Sequence, residues 1–132
     1  MTDVADRLAI HELLALHGHL FDSGQLDRLD ELFTEDVTYD VEAFGGGVLR
    51  GVAAIREAAE RLGDGNPLGH HTTNVLVVEL TDESARVTSK GIGVGTDGSA
   101  STVVYEDVVR RTPAGWRLAA RTVRPRRRPL TA

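Results

Sequence analysis

The chain contains no cysteine, which excludes disulfides, thiolate metal ligands and a thiol nucleophile. No apolar run approaches the ~20 residues that a membrane-spanning helix needs, and the N-terminus lacks the basic-then-apolar pattern of a secretory leader. A cytoplasmic protein with no membrane partner is therefore expected. The five histidines include no pair at the i, i+4 spacing of a helical metal site, and the carboxylates are scattered, so no metal is expected. Acidic residues are missing after Asp107, where eight arginines follow, whereas residues 1–40 hold ten acids against Arg7 and Arg28. The formal net charge of −5 argues against nucleic acid as a partner. The run Arg124-Pro125-Arg126-Arg127-Arg128-Pro129 reads as a solvated extension lying near the acidic half of the fold or of a neighbouring subunit.

What is present suffices for one domain. A chain of 132 residues buries roughly two-thirds of the surface its unfolded form exposes. The expected division is a single domain over residues 1–125 and an Arg/Pro-rich tail over 126–132. Ile10, Leu13, Leu14, His17 and Phe21 fall on one helical stripe, capped at Thr2 or Asp3 and ended by Ser23-Gly24. A short second helix runs from Gln25 to about Leu32, with Leu26, Leu29 and Leu32 as its ridge. Val37–Val41 reads as a strand, Gly45-Gly46-Gly47 as a mobile loop, and Val52 to about Leu62 as a third helix ended by Gly63-Asp64-Gly65-Asn66-Pro67.

From Gly69 the pattern turns to β. Residues 70–80, 85–95, 100–111 and 115–124 are rich in Val, Thr and Ile and are separated by turns at Thr81–Ser84, Thr96–Ser99 and Thr112–Gly115. Helices first and an antiparallel meander second make an α+β fold. A curved sheet covered by the first and third helices encloses a pocket, and polar side chains aimed into it are the candidates for function. Gly91, Gly93 and Gly95 lie within a strand, which rules out a nucleotide loop and suits bending or close approach.

Two segments carry the chemistry: Phe21-Asp22-Ser23-Gly24-Gln25-Leu26-Asp27-Arg28-Leu29, where the first helix ends, and Gly69-His70-His71-Thr72-Thr73-Asn74, where the first long strand begins. Together with Leu32-Phe33-Thr34-Glu35-Asp36-Val37, Gly51-Val52-Ala53-Ala54-Ile55 and Gly115-Trp116-Arg117-Leu118-Ala119-Ala120-Arg121, they resemble the SnoaL-like branch of the nuclear-transport-factor-2-like superfamily. That resemblance implies a conical, cystatin-like α+β barrel, a homodimer, and an enzyme or binding module acting on a hydrophobic small molecule without a cofactor. It matches Asp22 to the helix-1 aspartate that partners a histidine in scytalone dehydratase and in hexachlorocyclohexane dehydrochlorinase, and His70 or His71 to that histidine. Strand alternation lets one of the two point inward; His70 shares its face with Thr72 and Asn74 and is favoured. Two departures stand out. The dehydratase's second catalytic histidine has no counterpart over 85–95, and its catalytic tyrosine falls near Val41, where there is no phenol.

Each candidate also has a plain structural reading. Asp22 can bond the backbone amides around Ser23-Gly24, and His17 can be a core or pocket-wall residue. Asp40, after Tyr39, is a second acid or base at the mouth or a strand-end residue. Tyr105 shares a strand face with Asp107 and either donates a hydrogen bond to an enolate oxygen or packs at the rim. Trp116 and Arg121 fit core packing and an ion pair with Asp36 or Asp107.

The leading expectation is a lyase or isomerase of the cyclase or dehydratase type. In it, His70 or His71, oriented by Asp22, removes a proton alpha to a carbonyl of a polyketide- or steroid-like substrate. Phe21, Tyr39, Thr72, Asn74, Tyr105, Asp40 and His17 would form the pocket. The alternative is a ligand-binding or assembly module that kept the cup and lost the reaction. A third reading is epoxide hydrolysis by an Asp-Arg-Asp set including Arg50 and Asp40.

Overall fold

The computed structural model describes residues 2–131, without the Thr2 side chain. A long helix α1 (Thr2–Asp22) leads through a 3-10 helix (Leu26–Glu31) into strand β1 (Phe33–Asp40). Strand β2 (Val48–Arg50) and helix α2 (Val52–Leu62) follow, and then the meander β3 (Gly69–Leu80), β4 (Ser84–Val94), β5 (Ala100–Thr112) and β6 (Gly115–Pro125). The six strands form one sheet in the order β2-β1-β6-β5-β4-β3. It is antiparallel except where β1 runs parallel to β6. β2 and β3 remain unpaired edges, so the sheet curves into a cup without closing into the expected barrel.

Several boundaries differ from expectation for local reasons. β1 begins at Phe33, four residues early, because it pairs with β6 through an irregularity between Phe33 and Thr38 that periodicity cannot register. Gly45–Gly47 is a turn: Gly45 and Gly47 adopt left-handed φ of 83° and 68°, returning the chain so that Leu49 pairs with Tyr39. The expected Thr2 cap lies outside the described side chains. Asp3 sits inside the helix and pairs with Arg7.

The core fills the space between α1, α2 and the concave side of the sheet. Ile10, Leu13, Leu14 and Leu20 from α1 meet Val87, Val109 and Leu118 from the strands, and Ile55 arrives from α2. Polar ties lock this arrangement. Asp6 accepts hydrogen bonds from Trp116 Nε1 (3.2 Å) and Arg111 Nη2 (2.7 Å), pinning α1 to the β5–β6 hairpin. Arg56 Nε donates to the Leu26 carbonyl, joining α2 to the 3-10 helix. The expected partner of Arg121 is Asp107, held bidentately at 2.8 and 2.9 Å with both side chains fully buried. Asp36 instead pairs with Arg110 at the surface. Arg124, near the end of β6, pairs with Glu106; past Pro125 the chain folds back on itself, with Arg126 donating to the carbonyls of Thr131 and Arg128.

The α1–β3 contact is closest at Gly18, where a Cβ would lie 2.4 Å from the His70 carbonyl oxygen. A glycine inside a helix ordinarily weakens it by roughly 0.5–1 kcal/mol relative to alanine. Here the missing side chain lets the helix touch the strand. We expect Gly18→Ala to lower unfolding free energy by about 1–3 kcal/mol through overpacking, measured by denaturant unfolding. A variant more stable than wild type would show that the contact does not constrain α1.

Candidate active site

The end of α1 and the start of β3 meet as the two sequence segments suggested. Asp22 Oδ1 lies 2.6 Å from His70 Nδ1. The His70 backbone N–H also donates to the same carboxylate, 2.9 Å from Oδ2 and 3.1 Å from Oδ1. Asp22 is thereby fastened to the strand that carries the imidazole, and neither group can turn without breaking the other's contact. Both side chains are about three-quarters or more buried. With Nδ1–H donating to the carboxylate, Nε2 carries the free lone pair.

His70 lines a cavity of about 620 Å³ between α1, α2 and the sheet. His17, Phe21, Tyr39 and Tyr105 line it too; the rest is mainly apolar, including Leu49, Ile55 and Val103. The glycines of β4 make the room. Gly93 pairs with His70, and a Cβ on Gly91 would fall 2.5 Å from the Tyr105 ring, so that ring lies directly on the strand.

His17 is the hub of this wall. It is 2% exposed, and its Nε2 lies 3.0 Å from the Tyr39 hydroxyl oxygen. Its ring centroid is 4.5 Å from Phe21, 5.7 Å from His70, 6.0 Å from Tyr39 and 6.2 Å from Tyr105. Burial, reinforced by positive charge on Arg121 and His70, holds His17 well below the usual imidazole range. Burial likewise pushes the Tyr39 phenol up to about 12, against the opposing pull of Arg121, and raises Tyr105. The Arg121 guanidinium lies under the Tyr105 ring, 3.8 Å from its centroid. The wall therefore offers neutral phenols and a neutral second imidazole.

Other candidates fall elsewhere. His71 is exposed and does not line the cavity. Thr72 is half-buried but also outside the lining. Asn74 leaves the His70 face because it sits in a bulge between Thr73 and Leu76, with a left-handed φ of 55°. Asp40 caps the turn after β1 by accepting the Glu42 N–H at 3.0 Å; neither it nor Arg50 reaches the cavity, so the Asp-Arg-Asp set does not assemble there. Tyr39 lines the cavity as expected, two residues before Val41, which also lines it. Among the described residues no three His, Asp or Glu side chains come together as a metal site.

Sequence reasoning missed several lining residues. Val103 shares the Tyr105 face by alternation, and Leu49 lies on a strand too short to read; Arg61, at the end of α2, brings the lining's one formal charge. A mid-helix glycine beside His17 was the available signal for Gly18.

Residues 2–122 match the SnoaL-like domain family. The chain belongs to that family. Among solved structures, a protein from Novosphingobium aromaticivorans proposed to be an aromatic ring hydroxylase is 32% identical, with a TM-score of 0.80 over 95% of this chain and 92% of its own. Another from that species, proposed to be a scytalone dehydratase, is 22% identical, with a TM-score of 0.77 over 96% and 89%, and shares the fold. An uncharacterized protein of Mycobacterium tuberculosis is 29% identical over 92% of this chain and 86% of its own length. Proteins of this fold thus carry differently named activities, and the chemistry of this cup has to be read from its own wall.

The neutral state of His17 has a consequence for stability. The unfolded chain takes up a proton on this ring below about pH 6.5, whereas the folded state does not. The contribution is therefore fully present above that pH and is lost as the pH falls. His17→Gln should flatten the decline of unfolding free energy between pH 6.5 and 5, which in wild type approaches about 1.4 kcal/mol per pH unit from this group. Parallel pH profiles for the two proteins would contradict the assignment.

Proposed function

We propose that this SnoaL-like protein is a cofactor-independent enzyme that moves a proton alpha to a carbonyl of a hydrophobic, polyketide- or steroid-like molecule. Cyclisation, elimination of water and isomerisation all begin with that step. The observation that carries the reading is the Asp22–His70 pair, with Nδ1 held at 2.6 Å by a carboxylate fixed to the strand, beside a largely apolar cavity. His70 Nε2 takes the C–H proton, and Asp22 holds the ring's tautomer and balances the imidazolium that forms. The electrons of the broken C–H bond move onto the carbonyl oxygen. Phenol O–H groups of Tyr39 and Tyr105 stand on the same wall to receive that charge. The proton on His70 then returns to carbon or passes to a leaving hydroxyl.

A binding module is the second reading, favoured by the missing second histidine of the dehydratase set. Exchange into deuterium oxide separates the two without knowledge of the natural substrate. With 2-tetralone as probe, wild type should exchange the alpha protons faster than buffer. His70→Ala should lose roughly 10²–10⁴-fold, the usual contribution of a positioned base. Asp22→Asn should lose at least about tenfold, with its fold confirmed by circular dichroism. Exchange unchanged in both variants would end the catalytic reading.

We also propose a homodimer. The outward-facing Leu76 and Val108, 65% and 42% exposed, support a second copy as the cover of the sheet's convex side. Light scattering at micromolar concentration should give twice the chain mass of 14.2 kDa; the monomer mass would overturn it.

A further inference from the structure

The Asp22–His70 pair leaves His17 unexplained: an imidazole at the centre of the wall, with one nitrogen on Tyr39 and the other on nothing. Its Nδ1 is buried and has no hydrogen-bond partner among the described residues. We propose that His17 is a positioning residue whose Nε2–H donates to the Tyr39 hydroxyl oxygen and thereby turns the Tyr39 proton into the cavity, toward the oxygen of a bound carbonyl compound. The proposal rests on the proton-abstraction reading of that cavity and deepens it, because it fixes which polar group the ligand's oxygen meets.

The two neutral tautomers are not equivalent here. With the proton on Nδ1, Tyr39 would have to donate to Nε2. A buried N–H would then be left without an acceptor, and the phenol would turn lone pairs toward the cavity. Orphaned N–H groups are the rarer and more costly kind of unpaired polar atom. With the proton on Nε2, only a lone pair on Nδ1 is left over. A doubly protonated ring would again strand an N–H at Nδ1, and burial and the charges on Arg121 and His70 oppose it. Those two, with the neutral phenols of Tyr39 and Tyr105, are the titratable groups around the ring; Phe21 and Phe33 contribute no charge.

Tyr39 itself fits the same direction. Among the described residues its hydroxyl has no hydrogen-bond partner apart from His17, and Tyr39 lines the cavity. Arg121, which can only donate, acts on the phenol as a positive neighbour. With the His17 Nε2–H donating to the phenol oxygen and a guanidinium nearby, the phenol's own proton is left for the ligand. A phenol so arranged meets negative charge developing on an enolate oxygen with a proton; the opposite arrangement would meet it with lone pairs.

The test has two independent readouts. Long-range proton–nitrogen NMR on histidine-labelled protein at pH 7, assigned with His17→Gln, should show a neutral His17 ring with its proton on Nε2. A proton on Nδ1, or a charged ring, overturns the proposal whatever the enzyme does. On 2-tetralone exchange, Tyr39→Phe should lower kcat roughly 10²-fold, and His17→Leu by a similar order, with KM moving less than about twofold. The double variant should lose no more than the worse single, because the two act as one unit. His17→Gln, which keeps a donor, should restore most of the loss. Losses that multiply in the double variant overturn the proposal. If His17→Leu fails to fold, the tautomer and the Gln variant still decide. Absence of any His70-dependent exchange in wild type would sink the proton-abstraction reading instead, leaving the tautomer readout to judge His17 by itself.

Discussion

The Arg121–Asp107 ion pair is the constraint around which this cup is organised. Both side chains are completely buried, and two parallel hydrogen bonds fix the guanidinium plane. A buried pair of this kind contributes little net stability compared with apolar residues, but losing one partner strands the other charge at a cost of about 3–5 kcal/mol. Its value lies in what surrounds it. The pair spans β5 and β6 at opposing register positions and sets the Tyr105 ring on its cationic face. The same positive charge presses His17 toward neutrality and opposes the rise that burial imposes on Tyr39. The charge in the floor thus reinforces burial at His17 and works against it at the two phenols.

Against that floor, the placement of Asp22 is a matter of close approach. α1 must lie against β3 for its final residue to reach the His70 backbone amide and ring together, and Gly18 permits it one turn earlier. On β4, the glycines at 91 and 93 perform the complementary service, clearing space for Tyr105 and for the cavity beside His70. Side chains are absent where the site has backbone contact or open volume, and present on either side of those gaps.

Much of this was legible in the sequence, and the exceptions share a cause. The α1 stripe, the turns of the meander and the inward turn of one of His70 and His71 follow from periods of 3.6 and 2, which survive folding wherever elements are regular; the preference for His70 leaned on Thr72 and on Asn74, and Asn74 leaves that face. Asn74 was misread because alternation assumes an unbroken ladder, and the bulge after Thr73 rotates everything beyond it. β2 escaped notice because three residues cannot display a period; its strand character comes from pairing with β1, a tertiary fact. Tyr39 reaches the cavity as expected, since β1 begins early enough for its alternation to turn this residue inward. Asp40, next along, carries a carboxylate in the same segment but spends it on the following turn.

The two histidines of the cavity wall divide the site between them. They lie 5.7 Å apart, edge to face, yet their surroundings oppose each other. His70 has a carboxylate on one nitrogen, 2.6 Å away, a counter-charge for the cation that the proposed reaction would form. His17 has only donors, phenols and aromatic faces around it, and each positive charge nearby disfavours a second one. A proton arriving in this wall therefore has one resting place. Two equivalent imidazoles would share it and neither would be a well-defined base; in the proposed reaction the inequivalent pair makes His70 the acceptor and leaves His17 neutral, able to hold a fixed hydrogen bond while charge moves beside it.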